Sequence, residues 1–462
     1  MGNPSDRIQF HNAKLLMPAM IAVLAALVYV AVSSVLLLAA VLGLAVYSVI
    51  LYKAGLWRTM VGTSLLVSVL RSGPTSALLS ETGWYILQFG PIVLAGIALL
   101  PKKPGRIRDS DRAVVLFMIL FAVIALATNL TTLAPSATLP QSILLAGMTT
   151  FLLLTFVRRW SGPSDLRGDV SMVFLLITMV QIVGVVAVLA GQAWPVDPDY
   201  GRFRGMYSNA NYAGMMSAIG IAGGVYLFRA SKRRILVLAS MAVLTAAMLL
   251  SGSRGALLAV VIAVLILMLS GTQRTLILPL AVLGGLFFVF AMVIDPQLLE
   301  PLDRFFLRDG SSPDVTSGRL QIYQQLLDMF QKSPLTGTGY RSIEEVKPGA
   351  PGLAAHNIYL SILTETGLFG AFIFVALGLS VLAASRLENS ARPLLVVVVT
   401  IAVVELTESS IYGWGGPSAL TAWMLILAFA ANGRFRSEET VSTGETAANG
   451  VATSAATRSR DL

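Results

Sequence analysis

Apolar runs of about 20 residues recur from Leu15 to Phe435, separated by short polar breaks, and this recurrence leaves few folds open. A helix that crosses the hydrocarbon core of a bilayer needs about 20 largely apolar residues. Backbone in lipid must also satisfy its own hydrogen bonds, which a helix does within a single segment. Such runs begin near Leu15, Val35, Trp84, Ala113, Ser142, Val170, Asn211, Ile235, Gly255, Leu276, Asn357, Pro393 and Ser418. Only 12% of the 462 residues are charged, about half the share of a soluble domain, so a water-soluble enzyme is excluded. The expected fold is all-α, a polytopic transmembrane helical bundle of about 12–14 spans with one long periplasmic loop containing short helices.

Charge orients the chain, because short cytoplasmic loops are enriched in Lys and Arg. Basic breaks occur at Lys53 and Arg58, at Lys102 to Arg112, at Arg158 to Arg167, at Arg229 to Arg234, at Arg274, at Arg386 and Arg392, and at Arg434 and Arg436. All fall on one side only if the short stretch Thr59 to Leu70 also crosses. This gives 14 spans and two cytoplasmic termini; if the stretch is re-entrant the alternative is 12. The residues up to Lys14 are polar and short, and the first apolar run continues directly into a second, so no cleavable signal peptide is expected. Four regions are expected: spans with short loops over 1–294, a long periplasmic loop over 295–355, C-terminal spans over 356–436, and a disordered cytoplasmic tail over 437–462, too polar to bury a core.

The net charge of +9 comes without the aromatic-interleaved basic patch of a nucleic-acid binder. Membrane lipids are the expected surroundings. The chain has no cysteine and two histidines, His11 and His356, which removes thiol chemistry and argues against a metal centre.

The loops opposite the basic breaks carry few cations, so those present stand out. Arg202 and Arg204 lie in GRFRGMYSNANYAG, and Arg254 lies in SGSRG beside Ser253. Arg319 opens RLQIYQQLLDMF, whose apolar spacing fits an amphipathic helix with Ser317 as its N-cap. An arginine at a helix boundary is either a headgroup anchor or, beside free amides at a helix N-terminus, an anion ligand. SPLTGTGY, ending at Tyr340, reads first as a tight turn. His356 begins the next apolar run. It is either a cap or a functional group, since an ionisable side chain beside a span is costly, and an imidazole can take a proton from a hydroxyl near neutral pH. Counted at 100° per residue, Gly367 and Gly370 fall within about 40° of His356 on the same helix face. They form either a groove below the imidazole or a close helix contact. Glu365 falls on the opposite face. Glu405 and Glu408, at the outer end of a later run, are placed to orient or charge-balance the site.

His356, Asn357, nine residues, Gly367, two more and Gly370 form H-N-x9-G-x-x-G. Together with SGSRGALLA, SGRLQIYQQLL followed by PLTGTGY, and RGMYSNANYAG, this pattern resembles the bacterial O-antigen ligase family, in a superfamily shared with Wzy-type polymerases. Ala210 stands where a proline is common between the two asparagines. The resemblance implies a metal-independent, inverting glycosyltransferase without cofactors. Its donor would be a glycan on undecaprenyl diphosphate, and its acceptor a lipid A-core sugar hydroxyl or, in a polymerase, a second lipid-linked glycan. By motif position Arg254 and Arg319 would bind the pyrophosphate and His356 would activate the acceptor, with Arg202 or Arg204 accessory. Ser253, Asn357, Gly367, Gly370 and Tyr340 are the further expected substrate-site positions. The implied location is the bacterial inner membrane, with the active site periplasmic. Protein O-oligosaccharyltransferase is a further alternative. A lipid-linked glycan transporter, from a different class, predicts ionisable groups midway along several spans, where these runs have almost none.

Overall fold

The computed structural model describes residues 55–73, 76–104, 107–132, 134–160, 162–198, 201–269, 319–343, 356–385, 392–413 and 418–433. The runs expected near Leu15, Val35 and Leu276, the tail 437–462, Ser317 and the rest of the long loop lie outside these residues. The helices are α1 Leu56–Ser72, α2 Glu81–Ile97, α3 Asp109–Ala127, α4 Pro135–Leu154, α5 Pro163–Leu189, α6 Ala210–Ala230, α7 Arg234–Ser251 and α8 Arg254–Leu269. They continue with α9 Arg319–Lys332, α10 Ile358–Ser385, α11 Arg392–Val404 and α12 Ser418–Gly433. Among the described residues there is no strand, only an isolated bridge between Val196 and Phe203. The Thr59 to Leu70 stretch is part of α1, a 17-residue helix packed on α2 and α5.

The fold is an all-α bundle of the polytopic membrane kind. Five described stretches are long and apolar enough to cross a membrane: Asp109–Leu130, Thr138–Arg159, Pro163–Leu189, Arg234–Ser251 and Ile358–Ser385. α6 is central, packing on α5, α7, α8 and α11, and α10 packs along α3. The outward face of α10 exposes Leu368, Phe369, Phe372, Val375 and Leu379. Large apolar side chains facing outward are what a hydrocarbon surround demands.

Because the helices alternate in direction, the bundle has two chemically different ends. At one, Arg58 Nε lies 2.5 Å from Asp169 Oδ1, Arg159 reaches Asp165 at 2.8 Å, and Trp160 Nε1 donates to Asp169 Oδ2 at 2.9 Å. There too Arg108 donates to the carbonyls of Ala384 and Gly433, both at 2.7 Å, and so satisfies the closing turns of α10 and α12. His356 lies at the other end, roughly 40 Å away at 1.5 Å per helical residue along α10.

α10 is not continuous. Gly367 takes φ 66° and ψ −168°, and the turn after α9 crosses the helix at this break. Leu368 N donates to Pro334 O at 2.8 Å, while Thr338 N and Gly339 N donate to Thr364 O and Glu365 O, each at 3.0 Å. The buried Glu365 carboxylate closes the crossing, accepting from Arg341 N at 2.7 Å and Ile343 N at 3.1 Å. PLTGTGY and TETGLFG are thus two halves of one backbone contact. The open glycine groove below His356 is not there. A 100° count cannot be carried past a break, a Cβ on Gly367 would sit 2.3 Å from Leu335 O, and the space beside Gly370 is filled by Thr366. Gly367→Ala should therefore combine a left-handed φ with a backbone clash, destabilising the fold by about 2 kcal/mol or more. A lowered melting temperature of the detergent-solubilised protein checks this, and an unchanged one contradicts it.

Candidate functional site

Four segments deliver polar side chains to the His356 end. The α5–α6 loop supplies Arg202, the SGSRG turn supplies Arg254 as the first residue of α8, Arg319 begins α9, and His356 precedes α10. They meet over the turn 405–411, which follows α11 and carries Glu408. Glu408 Oε2 is 3.2 Å from His356 Nδ1. Its Oε1 lies 3.6 Å from Arg319 Nη2 and accepts from Asn211 Nδ2 at 2.9 Å. Asn211 Oδ1 in turn accepts from Arg202 Nη2 at 2.7 Å, while Arg202 Nε donates to Ser251 O at 2.7 Å. A single carboxylate joins the histidine, one arginine directly and a second through an amide.

Arg254 completes the cluster from the α8 side. It is exposed, and its side chain makes no hydrogen bond or ion pair with a described residue. Its neighbour Gly255 lies so close to Thr407 that a Cβ there would be 2.0 Å from the Thr407 hydroxyl, which seats the start of α8 against the Glu408 turn. Burial lowers the Arg202 pKa from its ordinary value; Asp197 and Glu408 act to raise it, and Arg254 and Arg319 lower it further. Three guanidiniums therefore share one field, against the carboxylates of Glu408 and Asp197. Among the described residues the excess is positive and suits an anion that accepts several hydrogen bonds.

The other expected site residues are placed differently. Arg204 turns away, donating from Nε to Trp194 O at 3.1 Å. Ser253 is buried beside Gly214. Tyr340 is buried, with its hydroxyl on Tyr412 O at 2.7 Å and its ring edge-on to Tyr412. Asn357 caps α10, accepting from Leu360 N at 3.0 Å, and its amide donates to Leu406 O at 3.2 Å. Gly367 and Gly370 belong to the crossing described above. Asn211, one of the two asparagines of RGMYSNANYAG, was given no role from sequence; here its amide links Arg202 to Glu408.

Residues 239–375 match the family model described as O-antigen ligase. This segment is similar to an O-antigen ligase domain. It contains Arg254, Arg319, His356 and both halves of the α10 crossing, whereas Arg202, Asn211 and Glu408 reach the cluster from outside it. No curated protein matches the chain. Among the described residues, no three His, Cys, Asp or Glu side chains group as a metal site.

Removal of the cap in Asn357→Ala should cost about 1 kcal/mol, because it strips one partner from the first turn of α10 and one tether from the Glu408 turn. Thermal denaturation against wild type measures this; no loss of stability would mean that the cap contributes nothing.

Proposed function

We propose that this protein is a membrane glycosyltransferase that moves a glycan from undecaprenyl diphosphate to a sugar hydroxyl of lipid A-core, on the periplasmic face of the inner membrane. The observation that carries this reading is the meeting of His356 with Arg202, Arg254 and Arg319 around Glu408, in and beside a segment similar to an O-antigen ligase domain. Sidedness follows from charge. Arg58, Lys102, Arg108, Arg158 and Arg159 gather at the opposite end, the cytoplasmic one by the bias of short loops.

The chemistry follows from the geometry. With Nδ1 facing Glu408, the imidazole is oriented to keep its proton there and to present Nε2 as a base. The acceptor hydroxyl gives its proton to Nε2 as its oxygen bonds to the anomeric carbon. The bond from that carbon to the diphosphate oxygen breaks, and the lipid diphosphate leaves with the electron pair. One displacement inverts the anomeric centre. The leaving group gains negative charge as the bond breaks, and preorganised guanidiniums stabilise it without a divalent ion. A prenyl chain continues from this end of the bundle into lipid, while the glycan stays on the aqueous side.

The test is transfer from purified lipid-linked glycan to lipid A-core or to a second lipid-linked unit, with chelator present. Product on the core is expected. Long lipid-linked chains would reassign the protein as a polymerase, and product on protein would make it an oligosaccharyltransferase. His356→Ala should lose about 100-fold or more, and undiminished turnover would remove the base. Arg254→Lys should be impaired although the charge is kept, since Lys lacks the forked donor pair; full activity would remove the bidentate role. Loss of wild-type activity on chelation would overturn the metal-free step.

A further inference from the structure

The turn that carries Glu408 is held from beneath by a second carboxylate. Glu405 follows α11 and is 1% exposed. Its Oε2 accepts from Ser410 N at 2.9 Å and Ile411 N at 3.4 Å, and its Oε1 accepts from the Ser410 hydroxyl. That hydroxyl also lies 2.9 Å from Met215 Sδ on α6. The carbonyls of Glu405 and Glu408 both accept from Ile358 N, at 3.0 and 3.1 Å, and Leu406 O accepts from the Asn357 amide. The two residues after His356 are therefore fastened to the same short turn that presents Glu408. Closure of the turn sets the distance between carboxylate and imidazole.

Resting on the reaction proposed above, we infer that Glu405 is a positioning residue, which closes the 405–411 turn so that the Glu408 carboxylate meets His356 Nδ1. It does not touch substrate, because its side chain is buried among Ser410, Ile411 and Met215. Burial pushes its carboxyl up to about 8, with Glu408 adding to the rise against the hydrogen bonds from Ser410 and Ile411. Glutamine matches this side chain in shape and keeps one acceptor oxygen for the Ser410 and Ile411 amides.

Because the chain has two histidines, side-chain 15N spectra of the full-length protein in nanodiscs, in a His11→Gln background, report on His356 alone. Glu408→Gln should move the His356 signal. Glu405→Ala should move it the same way, and Ser410→Ala, a milder variant that keeps the backbone donor, should follow in part. Glu405→Gln should leave it near the wild-type position. In the transfer assay Glu405→Ala should lower kcat about 10- to 100-fold, part of what a positioned base contributes, with donor KM little changed. It should lower kcat little further in a Glu408→Gln background. The inference is overturned if Glu408→Gln moves the His356 signal and Glu405→Ala and Ser410→Ala do not, or if the two kinetic losses add in full. If Glu408→Gln leaves the signal in place, the His356–Glu408 pair itself is absent and the inference goes with it. If the wild type transfers no glycan, the proposed reaction fails while the spectra still decide the role of Glu405.

Discussion

The Glu408 carboxylate is the constraint on which the His356 end of the bundle depends. Its two oxygens meet three groups from three elements: the imidazole before α10, the guanidinium that opens α9 and the Asn211 amide at the start of α6. Arginines brought together without a counter-ion repel one another. In a partly buried site that repulsion is less screened than in water and tends to splay the loops that bear them. A single carboxylate relieves that repulsion, fixes which imidazole nitrogen faces inward, and still leaves a positive excess among the described residues.

The second organising feature is the break in α10. A transmembrane helix that loses hydrogen bonds at one turn must recover them from a neighbour. Here the neighbour is the turn after α9, whose amides and carbonyls fill the gap at Gly367 while Glu365 binds the main chain at Arg341 and Ile343. The crossing joins α9, which begins with Arg319, to α10, which is entered from His356. Tyr323 on α9 adds a direct link, its hydroxyl lying 3.4 Å from His356 O. The segment read from sequence as a tight turn and the glycines read as one helix face together fix the relative placement of Arg319 and His356.

At the opposite end the arginines packed into the bundle are paired. Arg58 and Arg159 both bond Asp169, and Arg108 bonds Asp111 and two helix-terminal carbonyls. These cations are committed to protein partners, whereas Arg254 is exposed and has none among the described residues.

Composition and periodicity by themselves determined the class of fold, since apolar runs of membrane-spanning length admit little but a helical bundle. The sparse cations opposite the basic loops also marked Arg202, Arg254, Arg319 and His356 as residues apart. The apolar spacing of RLQIYQQLLDMF gave α9, because local periodicity is enough to specify an amphipathic helix. What the sequence did not determine is which of these groups touch. Glu408 lies 52 positions after His356 and 197 after Asn211, and no local pattern encodes contacts over such separations. The break at Gly367 was equally hidden, because the carbonyl that forbids a Cβ there belongs to Leu335, a residue on another element. Only the packing of α6, α8, α9, α10 and the 405–411 turn against one another decided that one carboxylate would serve them all.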